Sequence, residues 1–300
     1  MAPTSVGAVG NRRRLDAELV RRGLAPSRER AQDDIAAGRV LVGGAPTVKA
    51  SRMVDPGEAV VLLGPPARFV SRAGAKLEGA IERFELGEFF YGARVLDVGA
   101  STGGFTDCAL QHGAREVIAL DVGHNQLHER IRSDPRVRNL ERTNIRSVDP
   151  ALVGEPVDLV VGDLSFISLR LVLEPVFSLC RSGVPYALLV KPQFEAGRAE
   201  AAKGRGVITD PAIWSRVLEE VLSALVRLGA TIMGVMVSPI TGSDGNVEFI
   251  VTGRSPDLDG PALSNSGLSS QQVADAIVGA VADAPRSGAF LDRTESPEVD

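Results

Sequence analysis

Between Ala93 and Gly253 short apolar runs alternate with amphipathic segments, and this alternation constrains the fold more than any other feature of the chain. The runs ARVLDVG, EVIALDVG, RVRNLERTN, VDLVVGDLSF and PYALLVKP are short and mostly rich in β-branched residues, so they read as strands. Helical stretches fall between them at 104–112 and at LVLEPVFSLC, and a longer one follows Asp210-Pro211. There an N-cap residue precedes a proline at the first helical position. This last helix carries Ile213, Val217, Val221, Leu225 and Leu228 on one stripe and stops at Gly229. Such alternation implies an α/β fold, a Rossmann-like, mainly parallel sheet with helices on both faces. TIMGVMVSP and NVEFIVTG follow close together, so the last two strands are predicted to pair antiparallel.

A different pattern precedes this body. A short helix is predicted from Arg12, with Leu15 and Leu19 four apart and Gly23 as its stop. A second follows Pro26, with Ser27 as N-cap, Ala31 and Ile35 facing inward and Gly38 at its end. RVLV, the turn Gly43-Gly44 and PTVKAS form a hairpin, and a strand over 59–63 closes a small α+β unit. Gly64-Pro65-Pro66 is the strongest boundary signal. The expected organisation is a disordered 1–10, a small domain over 11–64, a linker over 65–72 and the α/β domain over 73–255. A C-terminal helix (270–281) and a disordered tail fill 256–300.

Charge follows the same division. Residues 11–72 hold 12 Lys and Arg against 7 Asp and Glu, a net +5, while the rest of the chain holds 21 against 31, a net −10. A basic module on an acidic body suggests a polyanion-binding surface; a solvated charged face is the alternative. The chain is 44% apolar, enough for a substantial core, yet no apolar run approaches the roughly 18 residues that span a bilayer. MAPTSVGAVGNRRR has no apolar stretch ahead of its arginines, so no secretory signal is expected and the cytoplasm is the default compartment. Two cysteines, Cys108 and Cys180, give neither a disulfide framework nor a zinc set, and His124 and His128 read as a solvated face; no metal is expected. Nothing in the sequence reports an oligomeric state.

The sharpest local motif is Asp97-Val98-Gly99-Ala100-Ser101-Thr102-Gly103-Gly104-Phe105, which follows a strand and opens a helix. A dinucleotide fingerprint would need glycine at 101, so that reading fails. The spacing D-x-G-x-x-x-G-G matches the glycine loop of S-adenosylmethionine-dependent methyltransferases. Asp97, Gly99, Ser101, Gly103, Gly104 and Phe105 are the candidate cofactor residues. Asp121, ending the second strand, can accept both hydroxyls of a ribose. A second constellation is ionisable: Lys76 in SRAGAKL, Asp163 ending the fourth strand, Lys191 ending the fifth, and Glu248 beginning the last. Carboxyl ends of parallel strands share one edge, so Asp163 and Lys191 should face the crevice of the glycine loop.

These motifs carry a family resemblance. The body resembles the FtsJ/RrmJ-like ribose 2′-O-methyltransferases, whose Lys-Asp-Lys-Glu tetrad reads here as Lys76, Asp163, Lys191 and Glu248. RLDAELVRRGLAPSRERAQDDIAAGRVLVGG followed by VKAS resembles the S4-like RNA-binding module. The order of modules, with VSRAGAKL, LDVGASTGGFTD, VGDLSFIS and LVKPQFE, is similar to the TlyA family over roughly 11–253. The resemblance implies S-adenosylmethionine as cofactor and methylation of cytidine ribose in 16S and/or 23S rRNA within ribosomal subunits, with neither DNA nor membrane as partner. Family members also carry the label haemolysin.

The resemblance further implies roles. Lys191 acts as a base or as a charged donor that steers the ribose hydroxyl, and both remain open. Asp163 orients Lys191 and lies near the methionine end of the cofactor. Glu248 and Lys76 position the ribose and its phosphates. Related enzymes often hold adenine with an acid after the third strand; ERTNIR offers Asn144 instead. Arg12, Arg13, Arg14, Arg28, Arg30 and Lys49 are the candidate RNA contacts, with Arg68 and Arg72 extending the patch towards the active site. With aromatics at 4%, base stacking is not the expected main mode of RNA binding. The loop GRAEAAKGRGVITDP is a candidate lid, or simply solvated. Two other classes compete: a ribosome-assembly factor that binds RNA without turnover, and a membrane-lytic protein, against which stands the lack of a lytic amphipathic basic helix.

Overall fold

Leu15, Leu19, Ala31 and Ile35 are fully buried, as their helical spacing requires. The computed structural model describes residues 12–25, 27–36, 38–64, 67–242, 244–257 and 267–285. The chain divides into two units, 1–72 and 73–300. In the first, β1 (Arg13–Arg14) leads into α1 (Leu15–Arg21), followed by α2 (Arg28–Ala36), β2 (Val40–Val42), β3 (Ala45–Pro46), β4 (Met53–Val54) and β5 (Val60–Leu62). β2 pairs antiparallel with β3 through the predicted hairpin and with β5 on its other side. Ser27 Oγ accepts from the Arg30 amide at 3.2 Å, as an N-cap should.

The expected helix start at Arg12 is corrected. Arg13 and Arg14 pair as a short strand with β4, and the helix begins at Leu15. The physical reason lies in the first helical amides. Leu15 N–H donates to the Arg52 carbonyl at 2.8 Å and Asp16 N–H to that of Ala50 at 3.2 Å, so neighbouring backbone replaces a side-chain cap.

The second unit opens with α3 (Ala73–Phe84) and α4 (Gly87–Phe90). Then come β6 (Arg94–Val98), α5 (Gly104–Gln111), β7 (Glu116–Leu120), α6 (Glu129–Arg132), β8 (Val137–Leu140), α7 (Pro150–Val153) and β9 (Leu159–Gly162). The remainder is α8 (Leu173–Phe177), β10 (Pro185–Val190), α9 (Pro192–Glu195), α10 (Arg198–Lys203), α11 (Pro211–Arg227), β11 (Thr231–Val237), β12 (Phe249–Arg254) and α12 (Ser270–Ala282). The sheet order is β11-β12-β10-β9-β6-β7-β8. Its strands from β10 to β8 are parallel, and β12 runs antiparallel between β10 and β11.

The strands of a buried sheet should be apolar on both faces, and all residues of β6 and β9 are indeed buried. Asp210 caps α11 by accepting from the Ala212 amide at 2.9 Å. Val217, Val221 and Leu225 of the predicted stripe are buried in the main core with Tyr186 and Phe249; Ile213 and Leu228 pack at its margin. α12 starts at a Ser269/Gln272 capping box and packs on β11 and α11, burying Ile277 and Ala280. Residues 1–10, Pro65-Pro66 of the boundary signal and the last 15 residues lie outside the described residues. Among the described residues no helix is long and apolar enough to cross a membrane.

Candidate active site

The parallel register levels the ends of the central strands. Val98 pairs with Gly162, so the next residues, Gly99 and Asp163, leave the sheet side by side, and the Asp163 amide donates to the Val98 carbonyl at 3.1 Å. On the other side Val190 pairs with Phe249. Continued by one residue, that antiparallel ladder sets Lys191 opposite Glu248. A strand running the opposite way thus brings its beginning to the edge where the parallel strands end.

Lys76, on α3, completes the group. Its ammonium lies 2.6 Å from Glu248 Oε2 and 3.7 Å from Asp163 Oδ2, and Lys191 Nζ lies 2.6 Å from Asp163 Oδ1. Lys76, Lys191 and Glu248 are buried, and Asp163 is nearly so. Two cations and two carboxylates therefore alternate in one chain of contacts whose formal charges cancel, the condition for burying four such groups together. Lys191 also donates to Ser165 Oγ at 2.8 Å.

Beside this array opens a cavity of about 260 Å³, lined by Gly99, Ser101, Asp121, Thr143, Asp163 and Ser165 and by the apolar Leu120, Val122, Ile145, Leu164 and Phe166, with Gly123 and Gln126. Gly99 is obligatory there. Its φ is +85°, and a Cβ would stand 2.8 Å from the Asp163 carbonyl oxygen. Asp121 accepts from the Ser101 amide at 2.8 Å through one carboxylate oxygen and from the Gly123 amide at 2.7 Å through the other. Each oxygen keeps a lone pair for a ligand.

Asp97 lies beneath the loop, fully buried. One oxygen accepts from Thr106 Oγ1 at 2.6 Å; the other has no hydrogen-bond partner among the described residues. Burial pushes its carboxyl up to about 7 despite the Thr106 bond, with the nearby Asp163 charge acting in the same direction. The unfolded value is about 4, so between about pH 4 and 7 the folded form holds a proton that the unfolded form has released. Asp97 therefore makes stability fall as pH rises through that window. Asp97→Asn should raise the melting temperature at pH 8 and leave it unchanged near pH 4.5; an equal shift at both pH values would show that Asp97 is not held protonated.

With this geometry in hand, comparison with known proteins is direct. Residues 69–255 match the family model for FtsJ-like methyltransferase, and residues 13–60 match that for the S4 domain. The 16S/23S rRNA (cytidine-2′-O)-methyltransferase TlyA of Mycobacterium tuberculosis is 42% identical over 278 residues, 92% of this chain and 100% of that one. The chain belongs to the TlyA family of FtsJ-like methyltransferases. Another relative, Hemolysin A of Brachyspira hyodysenteriae, is 39% identical over 79% of this chain and 98% of its own. Among solved structures, "Putative hemolysin from Streptococcus thermophilus" superposes with a TM-score of 0.70 at 36% identity, over 90% of this chain and 95% of that one.

Within this TlyA-family chain, several expected site residues fall elsewhere. Asn144 does not line the cavity. Its side chain accepts from the Arg146 amide at 3.0 Å and caps a short 3₁₀ turn, an ordinary local bond for asparagine, and its neighbours Thr143 and Ile145 form the wall instead. Gly103, Gly104 and Phe105 are buried below the loop and also lie off the cavity wall; a Cβ on Gly103 would meet Leu127 at 2.8 Å, so this glycine serves packing. The arginines of the first unit are largely engaged. Arg14 and Arg28 both bond the buried Asp16, at 2.9 and 3.0 Å, Arg12 pairs with Asp55 at 3.0 Å and Arg30 with Asp34 at 3.1 Å. The Arg14 bond, with Gln32 and Arg28, holds the Asp16 carboxyl far below its usual range. Arg13 and Lys49 are exposed with no side-chain partner among the described residues, and the Arg68 guanidinium lies 5.0 Å from the Phe69 ring centre.

Sequence reasoning missed Ser165, Gln126 and Phe166 on the cavity, and the Glu78–Cys108–His112 cluster between α3 and α5. Glu78 Oε2 lies 2.8 Å from His112 Nε2 and 3.5 Å from Cys108 Sγ. Cys108 and His112 are four apart on one helical face, which the sequence displays; Glu78, thirty positions earlier, it could not place beside them. His124 pairs with Glu141 at 3.0 Å and His128 caps α6, so each has a local task.

Proposed function

We propose that this chain transfers a methyl group from S-adenosylmethionine to the 2′-hydroxyl of a cytidine in 16S or 23S rRNA. One observation carries the reading: Lys191 is ion-paired with Asp163 and hydrogen-bonded to Ser165, two residues that themselves line the cavity under the glycine loop. The relative TlyA is named for this reaction. The cavity fits the cofactor. Asp121 can hold the ribose hydroxyls through its two free lone pairs, and Leu120, Val122, Ile145 and Leu164 offer apolar walls to adenine.

When bound, S-adenosylmethionine supplies a methyl group already activated on a sulfonium, so the protein's task is to align a weak nucleophile. An ammonium has three N–H donors. Ser165 takes one from Lys191, Asp163 holds the ammonium as an ion pair, and a remaining N–H would hold the ribose oxygen. Asp163 ties Lys191 to Lys76, and Glu248 keeps Lys76 in place. Lys191 thus steers as a charged donor, and the proton that the hydroxyl gives up on methylation would pass to solvent. A rate constant for transfer that stays flat between about pH 6.5 and 8.5 is the expected profile of such a donor; a tenfold rise per pH unit would assign it the base role instead.

The first unit is the RNA-binding module of this reading, with Arg13 and Lys49 as its most available cations and Arg12, Arg14, Arg28, Arg30, Arg68 and Arg72 contributing to the basic face. Such contacts address phosphate and shape, so affinity should fall steeply with salt. An enzyme of this kind works where ribosomes are made, in the cytoplasm. The test is transfer from S-adenosylmethionine to ribosomal subunits that lack the modification, with mapping of the 2′-O-methyl sites. Cofactor binding without transfer would favour an assembly factor. Deleting residues 1–66 should leave cofactor affinity within about twofold while lowering rRNA methylation by at least about tenfold at 150 mM salt; full activity of the shortened chain would remove the module from substrate recognition.

A further inference from the structure

We infer that Ser165 is a positioning residue for the Lys191 ammonium, an inference that rests on the proposed role of Lys191. Two side chains that engage Lys191 come from one turn after β9: Asp163, ion-paired at 2.6 Å, and Ser165, which accepts a hydrogen bond at 2.8 Å. A single contact to Asp163 fixes how far the ammonium stands from the strand but lets it swing about that axis. The second contact, a directed hydrogen bond, removes the swing and sets where the remaining N–H groups point. The Phe194 ring, 5.8 Å from the nitrogen, bounds it further. Lysine has a long flexible stem and three equivalent donors, so its aim must come from its partners.

The turn that carries Ser165 is itself held on both sides. Before it, the Asp163 carbonyl and Leu164 Cα sit so close to Gly99 that no side chain fits between. After it, the Phe166 ring lies 5.1 Å from that of Phe194. Ser165 accepts from Lys191 while it lines the cavity. Among the described residues, Asp163 and Ser165 both line the cavity and engage Lys191, and of the two Ser165 is the uncharged one. It can be removed without unbalancing the array of Lys76, Asp163, Lys191 and Glu248.

The test uses the full chain, S-adenosylmethionine and unmodified ribosomal subunits under single-turnover conditions, with Ser165→Ala, Ser165→Thr, Lys191→Ala and the double variant Ser165→Ala/Lys191→Ala. Ser165→Ala should slow transfer about tenfold, the value of one hydrogen bond to a charged group, with cofactor and rRNA dissociation constants within about twofold of the parent. Ser165→Thr, which keeps the hydroxyl, should recover most of the rate. The double variant should be no slower than Lys191→Ala alone, because the serine acts through the lysine. An unchanged rate in Ser165→Ala overturns the inference while leaving the reading of Lys191 intact. A rate loss matched by an equal loss of cofactor affinity also overturns it and assigns the Ser165 hydroxyl to cofactor binding instead. Appreciable turnover by Lys191→Ala overturns the reading on which the inference rests.

Discussion

Lys191→Ala is expected to lower methyl transfer by about 10³-fold or more while leaving cofactor affinity within about threefold. The asymmetry follows from position. Lys191 touches the cavity only through Asp163 and Ser165, so its removal takes nothing from the cofactor's own walls. It does take the group that holds the ribose oxygen on the reaction axis, and misalignment is costly when the electrophile is already activated. A stability change accompanies the kinetic one. Asp163 loses its partner at 2.6 Å and keeps Lys76 at 3.7 Å, so the variant should melt a few degrees lower. Lys191→Arg separates the two effects. It retains the charge, and with it most of the stability, but a planar guanidinium cannot reproduce an ammonium's aim. Stable Lys191→Arg protein with near-parental rates would assign the effect to charge alone.

Gly99→Val should weaken cofactor binding by about 100-fold, and turnover with it. At φ +85° a β-branched residue is strained whatever the space, and here there is none: the new Cβ would stand 2.8 Å from the Asp163 carbonyl oxygen and 3.1 Å from Leu164 Cα. Relief requires that either the glycine loop or the turn after β9 move, and both line the cavity. Roughly 3 kcal/mol of strain taken from the binding energy corresponds to the loss given. Gly103 provides the contrast. It also has a positive φ, +94°, but its neighbours are side-chain ends of Leu127 and Ile131 that can shift. Gly103→Ala should therefore cost stability more than affinity. Calorimetric titration of both variants checks the assignment, and equal affinity in Gly99→Val and the parent would place the cofactor elsewhere.

The sheet was legible because strand-length apolar runs and helix stripes have different periods, and Asp163 and Lys191 could be placed at one edge because parallel strands end together. Glu248 was legible for the complementary reason, a final hairpin that turns back. What the sequence could not display was where short polar side chains spend their hydrogen bonds. Asn144 has the right chemistry for an adenine edge, but its own backbone two residues on claims it. Arg14 and Arg28 look like free cations in a string of arginines, yet both fold back on Asp16, a residue whose complete burial no local pattern announces. Ser165 was invisible as a partner of Lys191 because the pairing spans 26 positions and depends on the angle of one turn. The strand at Arg13–Arg14 was missed since two residues carry no periodicity.

The crossing of β12 between β10 and β11 has a temporal consequence. Lys76 stands near the start of the second unit and Glu248 within the final hairpin of its sheet, so the array closes on residues translated far apart. A nascent chain lacks one member of its charge-balanced set until the last sheet strand emerges.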